Sequence, residues 1–408
     1  MARLRYLCEN MMIPSPYDIR PGDANSEEAR LLGSYAFASS PETETPEQVE
    51  RRTAMRVTDR TFLSYVDDVA LAKVAIVPMT TNVRGTVVPM GGISGVASMP
   101  IARRGGHIRE LLHRAIKDMH EQGEVVSALY PFKSSYYEKF GYAKWPVPKW
   151  MHVSPDALSP YLAAEKTGVV KHRLSGEAID DVATVMKQAQ RTMHGLSLFQ
   201  RPKQDAWLSF NKSWAMTVHE GDDVTAAIVY RIDINKQELI VDTGFWSTLN
   251  GYLQVLDFLA RHVDQIKTVR MPVLPDEQPH MWTTQDGSIE IITNDADSWG
   301  PAMARIVTVS GLTGIGAGNG SVCLTVTDVQ APWNNGTFTF TGDSGLLLVH
   351  EGGMAQGEVT IHGLSTLIFT GGDARLLPIR GWGRVNNEAV DALARIFPPV
   401  EPVIGAMF

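Results

Sequence analysis

The sequence predicts a mixed fold: two α/β regions in succession, then an α+β region. Three observations carry that expectation. Residues 1–150 alternate helical and strand-like stretches, residues 151–295 repeat that order of elements, and residues 296–408 hold short strands followed by one closing helix. A chain of 408 residues has length for two or three domains. With 44% apolar and 20% charged residues it can bury a sizeable core, so a soluble globular protein is expected.

In the first region Glu27–Phe37 reads as a helix, with Ala29, Leu32 and Ala36 on one side, and the acidic stretch Ser40–Glu50 as a loop or helix start. Val69–Pro78 and Thr86–Met99 read as strands around the turn Asn82–Gly85. Ile108, Leu111, Leu112, Ala115, Ile116 and Met119 recur at spacings of three and four, the mark of an amphipathic helix, and Gly123 stands where a glycine ends one. An apolar run, Val125–Tyr130, follows.

The second region has a connector (Ser154–Lys171), a helix (Glu177–Met193), strand-like runs at Met216–His219, Ala226–Ile232 and Glu238–Phe245, and a helix over Leu249–Val263. In the third, strands are expected over Ala304–Ser310, Ser321–Val329, Thr337–Thr341, Leu346–His350 and Gly357–His362, with Asn334-Asn335-Gly336 as a hairpin turn. Asn386 caps a final helix with Val390, Leu393, Ala394 and Phe397 on its apolar face. The tail Val400–Phe408 is apolar apart from Glu401, which predicts a docked end.

The composition also excludes partners. The net charge of −8 argues against nucleic acid; it suits a cationic small molecule, and solubility explains it equally well. Two cysteines, Cys8 and Cys323, form no CxxC or Cys/His cluster, so no metal site is expected. The N-terminus has no signal-peptide pattern and no run of 18 apolar residues exists, so a cytoplasmic protein without a membrane partner is expected.

The chemistry concentrates between Gly91 and Tyr142. A strand (Ile93–Met99) empties into the basic turn Arg103-Arg104-Gly105-Gly106-His107 at the start of a helix. Backbone N–H groups at such a helix start can chelate a pyrophosphate, and two arginines add charge. The alternative is an ordinary basic surface turn. The strand end Gly95–Met99 could pair with an amide-bearing pantetheine arm.

These residues resemble a known family. ISGVASMPIARRGGHIRELL, SALYPFKSSYYEKFGYAKW and the apolar end PVIGAMF are similar to the Eis family of GCN5-related N-acetyltransferases (GNAT). The first stretch follows the family's V-A-x-x-P-x-x-R-x-x-G pattern and the second its I-Y-x-R-F-G-Y-G turn; AIVYRID and LFQRP fit its middle region.

The resemblance implies two tandem GNAT-type domains (1–150, binding acetyl-CoA, and 151–295, without a cofactor loop) and a sterol-carrier-like domain (296–408). It implies a homo-oligomer, a hexamer, and transfer of acetyl to an aminoglycoside, polyamine or lysine-type amine. Val96, Ala97 and Ser98 would pair with pantetheine, while Arg103, Arg104, Gly105, Gly106, His107, Ile108 and Arg109 would wrap the pyrophosphate. Tyr137 would be the general acid and the terminal carboxylate of Phe408 the general base. A non-catalytic acyl-CoA or lipid-binding protein is the rival class. Two positions depart from the family: bulky Phe132 precedes the tyrosine, and Met407 stands where aminoglycoside-acetylating members carry an acidic residue.

Overall fold

The computed structural model describes residues 17–38, 44–275, 277–283, 289–293 and 301–403. Cys8, Met407 and Phe408 lie outside the described residues. The described residues form two compact units: 17–145 with 302–400, and 146–301 with 401–403.

The strands in chain order are β1 (Asp18–Gly22), β2 (Arg60–Val66), β3 (Val69–Val83), β4 (Thr86–Ser98), β5 (Val126–Leu129) and β6 (Ala143–Lys144). The second unit supplies β7 (Lys149–Val153), β8 (Val169–Leu174), β9 (Ser197–Phe199), β10 (Trp214–Glu220), β11 (Asp223–Asp233), β12 (Glu238–Trp246), β13 (Thr268–Pro272) and β14 (Ile289–Thr293). The last are β15 (Met303–Ile306), β16 (Gly320–Thr327), β17 (Gly336–Asp343), β18 (Leu346–Glu351), β19 (Gly357–Thr360) and β20 (Gly383–Val385). The helices used below are α1 (Glu27–Gly33), α2 (Pro46–Met55), α3 (His107–Glu121), α4 (Ser134–Tyr137), α5 (Ile179–Thr192), α6 (Arg201–Phe210), α7 (Leu249–Ala260), α8 (Ile361–Thr370) and α9 (Asn387–Ile396).

The first sheet runs β1-β2-β3-β4-β5-β15-β6. Its β3–β4 hairpin turns at Arg84-Gly85, both with positive φ (51° and 89°), the backbone that a tight hairpin requires. Against one face packs α3. Leu111, Leu112, Ala115, Ile116 and Met119 are buried with Val74 and Ile76 of β3 and Ile93 of β4. Gly106 (φ 90°) starts the helix and Gly123 (φ 74°) follows its end. On the other face Ala29 and Leu32 of α1 meet Leu63, Ala70, Ala97 and Met99. The helix expected over Glu27–Phe37 ends at Gly33 and continues as a wider π turn, Ser34–Ala38.

In the second unit the sheet order is β14-β7-β13-β12-β11-β10-β8. Val255, Leu256 and Leu259 of α7 pack on one set of its strand residues, and Val182, Val185 and Met186 of α5 on another. Val403 joins this unit's core, its amide donating to the His194 carbonyl at 2.8 Å. That much of the apolar tail is docked.

The third sheet has the order β18-β17-β16-β19-β20. Three expectations change here. The strand expected over Ala304–Ser310 forms as β15 and pairs with β5 and β6 of the first sheet, not with the third. The strand expected to run to His362 stops at Thr360, whose hydroxyl caps α8 at the Gly363 amide. Asn334 and Asn335 do not make the hairpin turn; they bind Asp328 in the loop before β17, and the tight turn is Ser344-Gly345 (φ 52° and 84°). Asn386 does cap α9, accepting from the Ala389 amide at 2.8 Å. Its buried face is Ala389, Ala392, Leu393 and Ile396, so Ala394 lies outside it.

Candidate active site

The parallel pairing of β4 and β5 covers only Met90–Ile93 with Val126–Leu129. Beyond Ile93, β4 continues to Ser98 with β3 as its sole partner there among the described residues. The two strands therefore part. On the β3 side the register jumps from Ala75↔Ser94 to Lys73↔Ala97, so Gly95 and Val96 oppose Val74 alone. This is a β-bulge, and Gly95 takes the left-handed φ of 59° that it needs. A bulge at a strand fork turns main-chain amides out of the ladder toward whatever enters the fork. Of the residues expected to pair with pantetheine, Val96 and Ser98 are half-buried on this stretch, while the Ala97 side chain is buried on the α1 face.

After β4 the chain makes one 3₁₀ turn (Pro100–Ala102) and enters the basic loop. Arg103 and Arg104 are exposed; the Arg103 guanidinium lies over the Tyr35 ring at 5.8 Å, and Arg104 has a φ of 64°. Gly105 is held from outside the loop, its carbonyl accepting the Tyr17 hydroxyl at 2.6 Å. Gly106 is the N-cap of α3 and offers no side-chain cap, so the first amides of the helix face outward unclaimed by a side chain. A Cβ at Gly106 would lie 2.3 Å from the Tyr17 oxygen, which closes this position to other residues.

His107 departs from the loop. Its ring is buried, with Nδ1 at 2.8 Å from the Ser64 hydroxyl and its edge against Tyr17, and burial lowers its pKa. Only its backbone remains for an anion. Arg109 is exposed and bonded to Glu110 at 2.9 Å, and Ile108 packs at the edge of the core below β4.

The tyrosine turn completes the site. After β5, Ser134–Tyr137 form α4, and Glu138–Phe140 a 3₁₀ turn ending at Gly141 (φ 85°). Tyr137 is 3% exposed, beside Tyr136 (5.4 Å), Phe132 (5.5 Å) and Tyr142 (6.4 Å). Burial pushes its phenol well above the ordinary tyrosine value, and its hydroxyl makes no hydrogen bond among the described residues. By contrast, Tyr142 is tied to Ser127 at 2.8 Å and thence to the Gly91 carbonyl, a structural role. Phe140 is core, and Phe132 is 73% exposed over Tyr137. Val96, Ile108, Tyr136 and Tyr137 share one apolar cluster, so fork, helix start and tyrosine meet in one place.

A fork with an unpaired strand edge, a bulge, and a basic loop at an open helix start suit an acyl-CoA: amides for the pantetheine arm, loop and helix amides for the pyrophosphate. The sequence alone missed Tyr17, Ser64 and the groups behind the tyrosine turn, which have no motif and lie far away in the chain. His113 and His120 on α3 are half-buried: His113 abuts Phe140, and His120 stacks on Trp333 at 4.3 Å.

Comparisons with known proteins agree with this geometry. Residues 20–145 match the acetyltransferase (GNAT) domain model and residues 312–405 the sterol carrier protein domain model. No curated protein matches the chain. Among solved structures, a GCN5-related N-acetyltransferase from Anabaena variabilis ATCC 29413 is 20% identical with a TM-score of 0.79, covering 94% of this chain and 98% of that one. A probable N-acyltransferase of unknown function from Enterococcus faecalis V583 is 18% identical with a TM-score of 0.82, over 97% and 100%. Eis1 from Mycobacterium abscessus is 17% identical with a TM-score of 0.77, over 96% and 100%. The chain carries an acetyltransferase (GNAT) domain over residues 20–145 and a sterol carrier protein domain over residues 312–405. Its fold is Eis-like, a GNAT domain and a second α/β domain followed by a sterol-carrier-like one.

Proposed function

We propose that the protein transfers acetyl from acetyl-CoA to a primary amine by direct attack in a ternary complex. The observation that carries this reading is the Tyr137 side chain beside the β4–β5 fork, buried as a residue and with no hydrogen bond to its hydroxyl among the described residues. Acetyl-CoA supplies the acyl group as a thioester. The amides at the Gly95–Val96 bulge are suited to receive the developing oxyanion. The Tyr137 hydroxyl, protonated through the neutral range, is suited to give its proton to the departing thiolate. The acceptor amine must first lose a proton, and the terminal carboxylate of Phe408 is assigned that role from the resemblance alone. Met407 and the exposed Phe132 favour a small or apolar amine over a polycationic aminoglycoside. The resemblance adds a homo-oligomer, a hexamer, to the reading.

Tyr137→Phe tests it. The expected result is a kcat lower by about 100-fold with CoA affinity unchanged. An unchanged kcat overturns the assignment.

A further inference from the structure

We infer that residues beyond Ala302 take part in catalysis as positioning groups: His362, Gln330 and Arg305 grip the turn that carries Tyr137. This rests on the reading of Tyr137 as the general acid.

Helix α4 has four residues and the following turn three. Elements this short do not hold their own geometry in water, and the carbonyls at their C-terminal end need donors. All three successive carbonyls find one on a side chain from elsewhere in the chain. The Glu138 carbonyl meets His362 Nε2 on α8. The Lys139 carbonyl accepts from Gln330 Nε2 at 2.6 Å. The Phe140 carbonyl accepts from Arg305 Nη1 on β15. A fourth tie joins the Glu138 carboxylate to Arg380 at 3.0 Å.

These donors are themselves fixed. Arg305 is fully buried and paired with the equally buried Asp328. Asp328 also accepts from Asn334 Nδ2 at 3.0 Å and from the Gln330 amide at 3.0 Å. The His362 ring stacks on Trp382 at 5.6 Å, and its Nδ1 is buried without a partner among the described residues. The neutral ring with hydrogen on Nε2 suits both facts, because it donates to the carbonyl and leaves no buried N–H unmatched. Gly141, between the turn and this frame, admits no side chain: a Cβ there would lie 2.7 Å from Ile361 Cγ2 and 2.9 Å from Arg305 Nη1.

A catalytic hydroxyl loses rate steeply when displaced by an ångström, whereas substrate binding does not. The full-length untagged protein, assayed with acetyl-CoA and an amine it accepts, should therefore show His362→Ala with kcat down roughly tenfold and both KM values within about twofold. His362→Gln, which can present an N–H to the same carbonyl, should restore most of the rate. In a Tyr137→Phe background His362→Ala should cost nothing further, since there is no phenol left to place. Gln330→Ala, which leaves the histidine in place, should repeat the pattern if His362→Ala does not fold. Normal kcat in the histidine and glutamine variants, or an equal loss with and without the phenol, overturns the proposal. Full activity of Tyr137→Phe alone overturns instead the general-acid reading beneath it.

Discussion

The Tyr137 phenol sits at 3% exposure, and burial holds its proton above the ordinary tyrosine range. Because the pKa is raised, the acid form persists as pH rises. The kcat–pH profile should therefore show no falling limb from this group below about pH 10. A basic-side fall near pH 8 that Tyr137→Phe abolishes would contradict this. Lys73 on β3 behaves in the opposite sense. Its ammonium is buried and donates to the Ala29 carbonyl at 2.7 Å, and burial, with Arg56 and Arg52 adding to it, lowers its pKa to about 8. The unfolded lysine titrates near 10.5, so between those values the unfolded chain binds more protons and stability rises with pH. Below pH 8 the full penalty is present. Relative to Lys73→Met, the wild-type protein should gain up to about 3 kcal/mol between pH 8 and 10.5, read by denaturant titration. A pH-independent difference would show that the lysine is not desolvated.

Among the elements, α3 and its leading loop were the most legible. A glycine at each end and six apolar residues at helical spacing fixed its bounds, because those signals are local. The loop yields a direct test. Gly106→Val places a β-branched residue at a φ of 90° against the Tyr17 oxygen, and CoA affinity should fall at least tenfold in a calorimetric titration. Unchanged affinity would remove the loop from the site. Helix α8 was not legible, because Val359, Thr360 and Ile361 read as a strand. What ends that strand is the Thr360 cap and the burial of Leu364, Leu367 and Ile368, a matter of tertiary packing. Similarly, the His107 position was legible but its burial was not. Nothing nearby in sequence announces Ser64.

At the scale of the molecule, the repeated order of elements and the short-strand third region were readable, since local periodicity determines them. The placement of β15 in the first sheet was not, because pairing with strands as distant as Met303↔Lys144 and Ile306↔Val126 leaves no local trace. That placement brings Arg305 to Asp328 with both at 0% exposure. Removing one partner leaves a buried charge uncompensated, so Asp328→Ala should destabilise the protein by about 3–5 kcal/mol. A loss below about 1 kcal/mol on chemical unfolding would mean the pair is not dry. The same stretch holds the tyrosine turn, so on the proposed reading stability and catalysis share residues here.

The most direct measurement is CoA release from acetyl-CoA by the untagged protein, against a panel of an aminoglycoside, a polyamine, a lysine peptide and a small apolar amine. Release that depends on an amine, with one class preferred, is the predicted result. A protein that neither binds CoA nor releases it with any amine would contradict the assignment of this fork and tyrosine to acetyl transfer.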